Sequence, residues 1–201
     1  MPSYSQLTSL PPLVTALLFV CWASITAFWI YWANRKQAHK FIEPHAKQIL
    51  IYWLPFFSAA ALLAPCPRLE HSPLGHWLFT PSAMSYSAGL LLATVGVALG
   101  IWARVSLADN WSGNVTLKQS HRLITTGPYR WLRHPIYSAF LLLIIGTAIC
   151  TAQLRGALAV ALVFISFYYK WRSEEQLMLR EFGEQYLRYR KQSGAIIPRW
   201  L

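Results

Sequence analysis

The chemistry-bearing residues of this chain crowd into one short stretch. From Gly127 to Tyr137 it reads GPYRWLRHPIY, placing Tyr129, Arg130, Arg133, His134 and Tyr137 between two long apolar segments. Ionisable groups at the edge of a membrane are costly to keep there, and they mark functional sites more often than decoration. Pro135 biases His134 away from helical geometry. The backbone is therefore expected to turn at the His-Pro step and to open a helix whose first N–H groups are unpaired, an arrangement that attracts anions. A second cluster is Lys170 with Glu174 and Glu175. Four residues apart, Lys170 and Glu174 share a helix face. As an exposed ion pair they would contribute only about 0.3–0.5 kcal/mol; carried to the depth of the His-Pro step they would give a site both a cation and an anion. A third cluster is Asn110, Trp111 and Ser112, followed by Thr116 and His121-Arg122-Leu123.

These groups suit a zwitterion with an aromatic base and a cationic centre. Tyr129 and Tyr137 offer ring faces and hydroxyls, the helix mouth takes a carboxylate, and Glu174 takes an ammonium or sulfonium. S-adenosylmethionine is such a molecule. For Arg130 and Trp111 the plainer readings are a lipid headgroup contact and an interfacial aromatic belt. A metal is not expected, because His39, His45, His71 and His76 form no ligand pattern. Cys21, Cys66 and Cys150 are odd in number and far from CxxC spacing, so they read as small apolar residues.

The elements that must position these groups are read from apolarity. The chain has 201 residues, 55% hydrophobic and only 12% charged, with a formal charge of +11. That charge on a soluble chain would suggest nucleic acid, but no nucleic-acid-binding motif is present, and basic residues beside apolar runs mark the cytoplasmic side of a membrane. Five segments approach the length of about 20 residues that a span needs: Leu13 to Ala33, Gln48 to Ala64, Met84 to Ala103, Ile136 to Ala152 and Gly156 to Tyr169. The third carries Gly89, Gly96 and Gly100, small residues that let helices approach closely in lipid. The last two should form a hairpin around Thr151 to Arg155. The N-terminus lacks a basic region ahead of its apolar run, which reads as a retained span rather than a signal peptide. Of the 18 Lys and Arg, only Arg68 and Arg155 fall in the second and fourth loops. The N-terminus is therefore expected outside, with the motif-rich loops and the C-terminus in the cytoplasm. After the fifth span, Leu179, Phe182, Tyr186 and Tyr189 form one apolar stripe of a helix that Gly183 should bend. The helix is expected to lie on the membrane and to cover the cofactor site. The fold expected is thus an all-α integral membrane protein of one domain, 1–201. It has a three-helix N-terminal part, 1–104, and a catalytic part, 105–201.

From Asn110 to Pro198 the motifs NWS, HRLITTGPYRWLRHPIY, EEQLMLREFGEQYLRY and IIP follow in an order and spacing that resemble the isoprenylcysteine carboxyl methyltransferase family, within a wider group that includes phospholipid N-methyltransferases. The length resembles the short five-span members of prokaryotic inner membranes. The resemblance implies methylation from S-adenosylmethionine at the cytoplasmic face. It implies cofactor contacts from the backbone around His121 and Leu123, from Tyr129, His134, Pro135 and Tyr137, and from Glu174, with Thr116 close to a further contact. Lys170 stands where the family commonly has arginine; it keeps the charge but not the bidentate fork. Lys170 and Arg133 are the candidate catalytic residues. The implied acceptor is the carboxylate of a lipophilic, isoprenylcysteine-like compound arriving from the bilayer. Being ionised near neutral pH, it needs no general base. A phospholipid amine or a small thiol is an alternative acceptor. Sterol reductases that use NADPH share an RHP-Y motif, but place Asn after the His-Pro step and a Gly-Glu pair after the Tyr, where this chain has HPIYSAF. A non-catalytic membrane scaffold is the remaining alternative.

Overall fold

The computed structural model describes residues 10–33, 39–108, 116–118 and 123–199. Five long helices carry it: α1 (Pro12–Ala33), α2 (His45–Leu63), α3 (Ala83–Leu107), α4 (Pro135–Thr151) and α5 (Leu154–Gln192). Four of them, α1, α2, α3 and α5, are long and apolar enough to cross a membrane; α4, at 17 residues, is a shorter apolar helix. Their outer faces stay apolar: Phe19 is 72% exposed and Leu91 65%. Rings and leucines facing outward along whole helices belong against lipid, since a water-facing helix would present a polar stripe there. The chain is not wholly helical. Strand β1 (His39–Ile42) pairs antiparallel with β2 (Thr116–Lys118), tying the loop after α1 to the loop after α3.

The seam between α3 and α4 is the most extensive in the bundle. It is built from residues without side chains to hold the backbones apart. A Cβ on Gly96 would sit 2.6 Å from the Ala139 carbonyl oxygen and 2.8 Å from the Leu143 nitrogen, and one on Gly89 would sit 2.5 Å from the Gly146 carbonyl oxygen. Ala93 and Ala139 are fully buried in the same seam. Lipid tails are as apolar as leucine, so helix contact in a bilayer rests on such close packing rather than on the hydrophobic effect. Gly89 and Gly96 match the sequence reading. Their counterpart Gly146, on the facing helix, did not stand out in it.

At one end of the bundle the α4–α5 turn is stapled to the loop between α2 and α3. The Leu78 amide donates to the Ala152 carbonyl (2.8 Å) and the Leu154 amide to His76 (2.9 Å). Arg155 is buried, not at a headgroup; it donates to the Ala64 carbonyl (2.9 Å), Gln153 Oε1 (2.5 Å) and Glu70 Oε1 (3.3 Å). At the other end α5 continues well past the apolar zone. Gly183, at φ 47° and ψ −122°, interrupts its helical geometry as the sequence suggested; only glycine takes such a conformation without strain. Beyond the kink, the Tyr189 hydroxyl donates to the Tyr129 carbonyl (2.7 Å), so the tail lies over the Gly127–Tyr137 stretch.

Gly96→Val and Gly146→Val should each force α3 and α4 apart, at a cost of about 1–3 kcal/mol or more. Thermal unfolding of the detergent-solubilised protein should show a lowered midpoint for both. Leu91→Val, on the lipid-facing side of α3, should change it by less than about 0.5 kcal/mol. Equal midpoints for all three would contradict the seam.

Candidate active site

The site is assembled where the mouth of α4 meets the middle of α5. His134 is the N-cap of α4, at φ −127° and ψ 58°, outside helical geometry as the following proline requires. Its carbonyl accepts from the Tyr137 amide (3.0 Å) and the Ser138 amide (3.1 Å), which starts the helix. Its imidazole is buried between two consecutive carboxylates of α5: Nδ1 lies 3.5 Å from Glu174 Oε2 and Nε2 lies 3.3 Å from Glu175 Oε1. The Tyr137 hydroxyl donates to the other Glu174 oxygen at 2.6 Å. Arg133 Nε donates to Glu175 Oε1 at 2.7 Å, and the rest of its guanidinium donates to the Arg190 carbonyl (3.2 Å) and the Ser193 carbonyl. Stacked rings floor the cluster: His134 on Tyr137 with centroids 5.3 Å apart, and Tyr137 on Phe167 at 4.7 Å.

One turn before Glu174, buried Lys170 places Nζ over three rings, 5.0 Å from Trp53, 5.7 Å from Tyr137 and 5.8 Å from Tyr52. Two of those rings belong to α2, where Gln48–Trp53 winds as a π-helix. The Tyr52 hydroxyl donates to Glu43 Oε2 (2.8 Å) and meets Ser173 Oγ (3.1 Å).

The tail closes the back of the site. Gly194 and Ala195 lend their carbonyls to the amides of Arg133 (2.8 Å) and His134 (2.9 Å), the Gly194 amide donates to Trp131 (3.0 Å), and Ser138 Oγ donates to the Ile196 carbonyl (2.7 Å). A strap from Ser193 to Ile196 thus fixes the non-helical backbone ahead of the helix. This is the structural place of the IIP motif.

Of the residues singled out from sequence, Tyr129, Arg133, His134, Pro135, Tyr137, Lys170 and Glu174 converge here, with Tyr129 buried beneath the strap-bound stretch. Leu123 is half-buried on the approach to the one-turn 3-10 helix Gly127–Arg130, and Thr116 lies in β2 opposite Ile42. His121 lies outside the described residues, as do Asn110, Trp111 and Ser112. Arg130 is exposed, as a headgroup contact would be. Glu43, Tyr52 and Trp53 did not stand out in the sequence, because an aromatic pair inside an apolar span carries no local signal. Glu175 was visible beside Glu174, but consecutive residues point about 100° apart on a helix. Only an imidazole set between them lets both act on one group. No group of three or more metal-ligating side chains is present among the described residues.

Burial is the largest single influence on His134 and works against its proton. The hydrogen bonds and charges of Glu174 and Glu175 together outweigh it and hold the imidazole above its usual value of 6.5. Tyr129 is pushed well above the usual 10.0, first by burial and then by the charges of Tyr189 and Glu174, so it stays a neutral phenol.

An apolar helical bundle with a paired, buried polar cluster at one end is the architecture of a polytopic membrane protein. The family model for phospholipid methyltransferases matches residues 84–185, from the start of α3 through most of α5. A probable protein-S-isoprenylcysteine O-methyltransferase of Oryza sativa subsp. indica is 30% identical over 65% of this chain and 71% of its own length. The protein-S-isoprenylcysteine O-methyltransferase of Rattus norvegicus is 31% identical over 56% of this chain and 40% of its own. The solved structure of a eukaryotic intramembrane Ras methyltransferase, an isoprenylcysteine carboxyl methyltransferase, matches with a TM-score of 0.55 and 28% identity, over 92% of this chain and 63% of that one. The chain therefore belongs to the isoprenylcysteine carboxyl methyltransferase family of membrane methyltransferases. Membership sets aside the reductase and scaffold readings.

The folded protein binds the His134 proton more tightly than the unfolded chain does. The resulting stabilisation is fully present below pH 6.5 and is lost as pH rises through the raised folded value. Unfolding midpoints measured from pH 6.5 upward should fall more steeply for the wild type than for His134→Gln. Parallel profiles would remove the imidazole from that linkage.

Proposed function

We propose that this protein transfers the methyl group of S-adenosylmethionine to the carboxylate of a lipophilic, isoprenylcysteine-like acceptor at the cytoplasmic face of a membrane. The observation that carries this reading is the pairing of a fixed carboxylate with a fixed ammonium one helical turn away: Glu174, oriented by Tyr137 and His134, and Lys170, held on three rings. S-adenosylmethionine, held by Glu174 and the rings of His134 and Tyr137, would supply an electrophilic methyl group on a sulfonium; transfer of that methyl to the acceptor carboxylate would leave a neutral thioether.

The residues present fit such a donor. Glu174 offers negative charge to a cationic amino-acid or sulfonium centre. The stacked rings of His134 and Tyr137 offer flat ring surface, and the nearby Tyr129 phenol a neutral donor. The mouth of α4 at Pro135 and the backbone around His121 and Leu123 take polar ends, with Thr116 on the same loop. Lys170 receives the acceptor's carboxylate, and Arg133, by gripping Glu175, keeps the imidazole in place. Because the acceptor is ionised already, these groups act by positioning and electrostatics rather than by moving a proton.

The five helices are read as five spans, with the N-terminus outside and the C-terminus and site in the cytoplasm, on the distribution of Lys and Arg. The apolar faces contact lipid, and the short chain fits a prokaryotic inner-membrane member. The match to phospholipid methyltransferases supports a second reading, in which a phospholipid amine is the acceptor.

His134→Ala and Glu174→Ala should each weaken binding of labelled S-adenosylmethionine by more than about tenfold, a loss of roughly 1.4 kcal/mol or more, in protein that stays folded. Lys170→Ala should spare that affinity and raise the KM for a farnesylated cysteine acid. Unchanged dissociation constants in both of the first two variants would overturn the site. Offering farnesylcysteine, phosphatidylethanolamine and a simple thiol side by side with labelled donor decides the acceptor.

A further inference from the structure

The end of the bundle away from the candidate active site holds a cavity of about 310 Å³. That is the share of about ten water molecules in the liquid, room for a small polar headgroup. Arg155, in its wall, precedes Lys170 by fifteen residues along α5, about 22 Å by helical rise. The cavity lies where two packed groups of helices part: α1 rests on α3 and α4, while α2 rests on α5. Leu10, just ahead of α1, and Leu63, the last residue of α2, both line it. Leu13 and Met84, close in sequence to the lining residues Leu10 and Tyr86, are 70% and 80% exposed. Apolar side chains so exposed belong against lipid.

The polar wall is Arg155, Glu70 and Tyr86. Arg155 is only 4% exposed. A guanidinium carries five N–H donors. Three of them are met, at Nε by Gln153, at Nη1 by the Ala64 carbonyl and at Nη2 by Glu70 Oε1, so two remain without an acceptor among the described residues. Glu70 is half used in the same way. Its Oε1 faces Arg155, whereas neither its Oε2 nor the Tyr86 hydroxyl has a hydrogen bond among the described residues. A buried charge with unmade hydrogen bonds is costly. The Arg155–Glu70 pair carries no net charge, yet keeps spare donors on one side and a spare acceptor on the other. A lone anion or a lone cation would serve only one of the two. A zwitterion serves both. Trp77 lines the same space and adds a ring for the cationic end. A primary ammonium can donate to Glu70 Oε2; a quaternary ammonium has no N–H to give.

We propose that this cavity is a lipid site for the phosphoethanolamine headgroup of a phospholipid in the leaflet opposite the candidate active site. The phosphate meets the two spare Arg155 N–H groups, and the ammonium meets Glu70, the Tyr86 hydroxyl and the Trp77 ring. This goes beyond the proposed methyl transfer. The lipid is bound far from Lys170 and Glu174 and is not an acceptor; it is a wedge that joins the α1–α3–α4 group to the α2–α5 pair.

The test uses the full-length protein, delipidated in detergent micelles. Cys66 lines the cavity and is half-buried, so its alkylation by N-ethylmaleimide, followed by mass spectrometry of its peptide, reads occupancy. The probes are dioleoylphosphatidylethanolamine, dioleoylphosphatidylcholine, dioleoylphosphatidylglycerol and free phosphoethanolamine. At about ten times its dissociation constant, the ethanolamine lipid should slow alkylation about tenfold and raise the unfolding midpoint. At the same concentration the choline and glycerol lipids should slow it by less than about threefold, and free phosphoethanolamine should leave it unchanged. Tyr86→Phe and Glu70→Gln, which keep the side-chain shapes, should weaken the ethanolamine lipid by about threefold and about tenfold. Tyr86→Phe decides the matter if Glu70→Gln does not fold. Glu174→Ala should keep the protection, since it alters only the other site. Equal protection by all three lipids, strongest protection by the glycerol lipid, or protection by free phosphoethanolamine at the lipid's own concentration would each overturn the proposal. So would unaltered affinity in both cavity variants, loss of protection in Glu174→Ala, or an ethanolamine lipid that neither protects Cys66 nor shifts the midpoint. Labelled S-adenosylmethionine, followed separately, judges the methyl transfer: its failure to bind would reject that reading and leave the lipid site standing.

Discussion

The structure depends on one buried arrangement of charge: an imidazole clasped between two consecutive carboxylates, with a guanidinium behind the second. Removing charged groups from water costs several kcal/mol each unless each finds a partner with good geometry. Here every member has one. His134 faces Glu174 and Glu175, Glu174 takes the Tyr137 hydroxyl, and Glu175 takes Arg133. The partners come from two helices and cannot be met by sliding either one. The cluster therefore sets the register of α4 against α5, and the rest of the bundle must be compatible with that register.

Two devices make it so. In the apolar zone, the glycine and alanine seam brings α3 against α4 at backbone distance, so α4 enters the site from a rigid pair rather than as a lone short helix. At the polar end, the strap from Ser193 to Ile196 bonds to the backbone on both sides of His134. Gly183 makes the second device possible, since a straight α5 would carry Tyr189 and the strap away from the stretch they close. The opposite end of the molecule, stapled by Arg155, is built for rigidity in the same way.

Buried cations are met by carbonyl oxygens and ring faces. Arg155 and Arg104 are bound to carbonyl oxygens near helix ends, where a fork of N–H donors suits several acceptors at once. Arg104 also lies over the Trp32 ring, and Lys170 over those of Trp53, Tyr137 and Tyr52. Arg104 looks, along the chain, like a loop charge; packing draws it inside. Counting basic residues is thus a guide to sidedness but not to what each residue touches.

Much of this was legible one residue at a time. The apolar runs located the starts of the five helices to within about three residues, while the fifth helix runs on to Gln192, well beyond its apolar run. Pro135 foretold the break at His134, Gly183 foretold the kink, and Gly89 and Gly96 foretold a close seam, because these residues act through their own backbone geometry. The four-residue spacing of Lys170 and Glu174 placed them on one face for the same local reason. Which residues meet across helices was decided only in three dimensions. That Glu175 shares the imidazole, that Tyr52 and Trp53 reach Lys170, that Gly146 answers Gly89, and that the tail returns to bond beside His134 all depend on helix register and on a π-helical turn. Neither leaves a periodic trace in the chain, since each is set by the mutual fit of surfaces far apart in sequence.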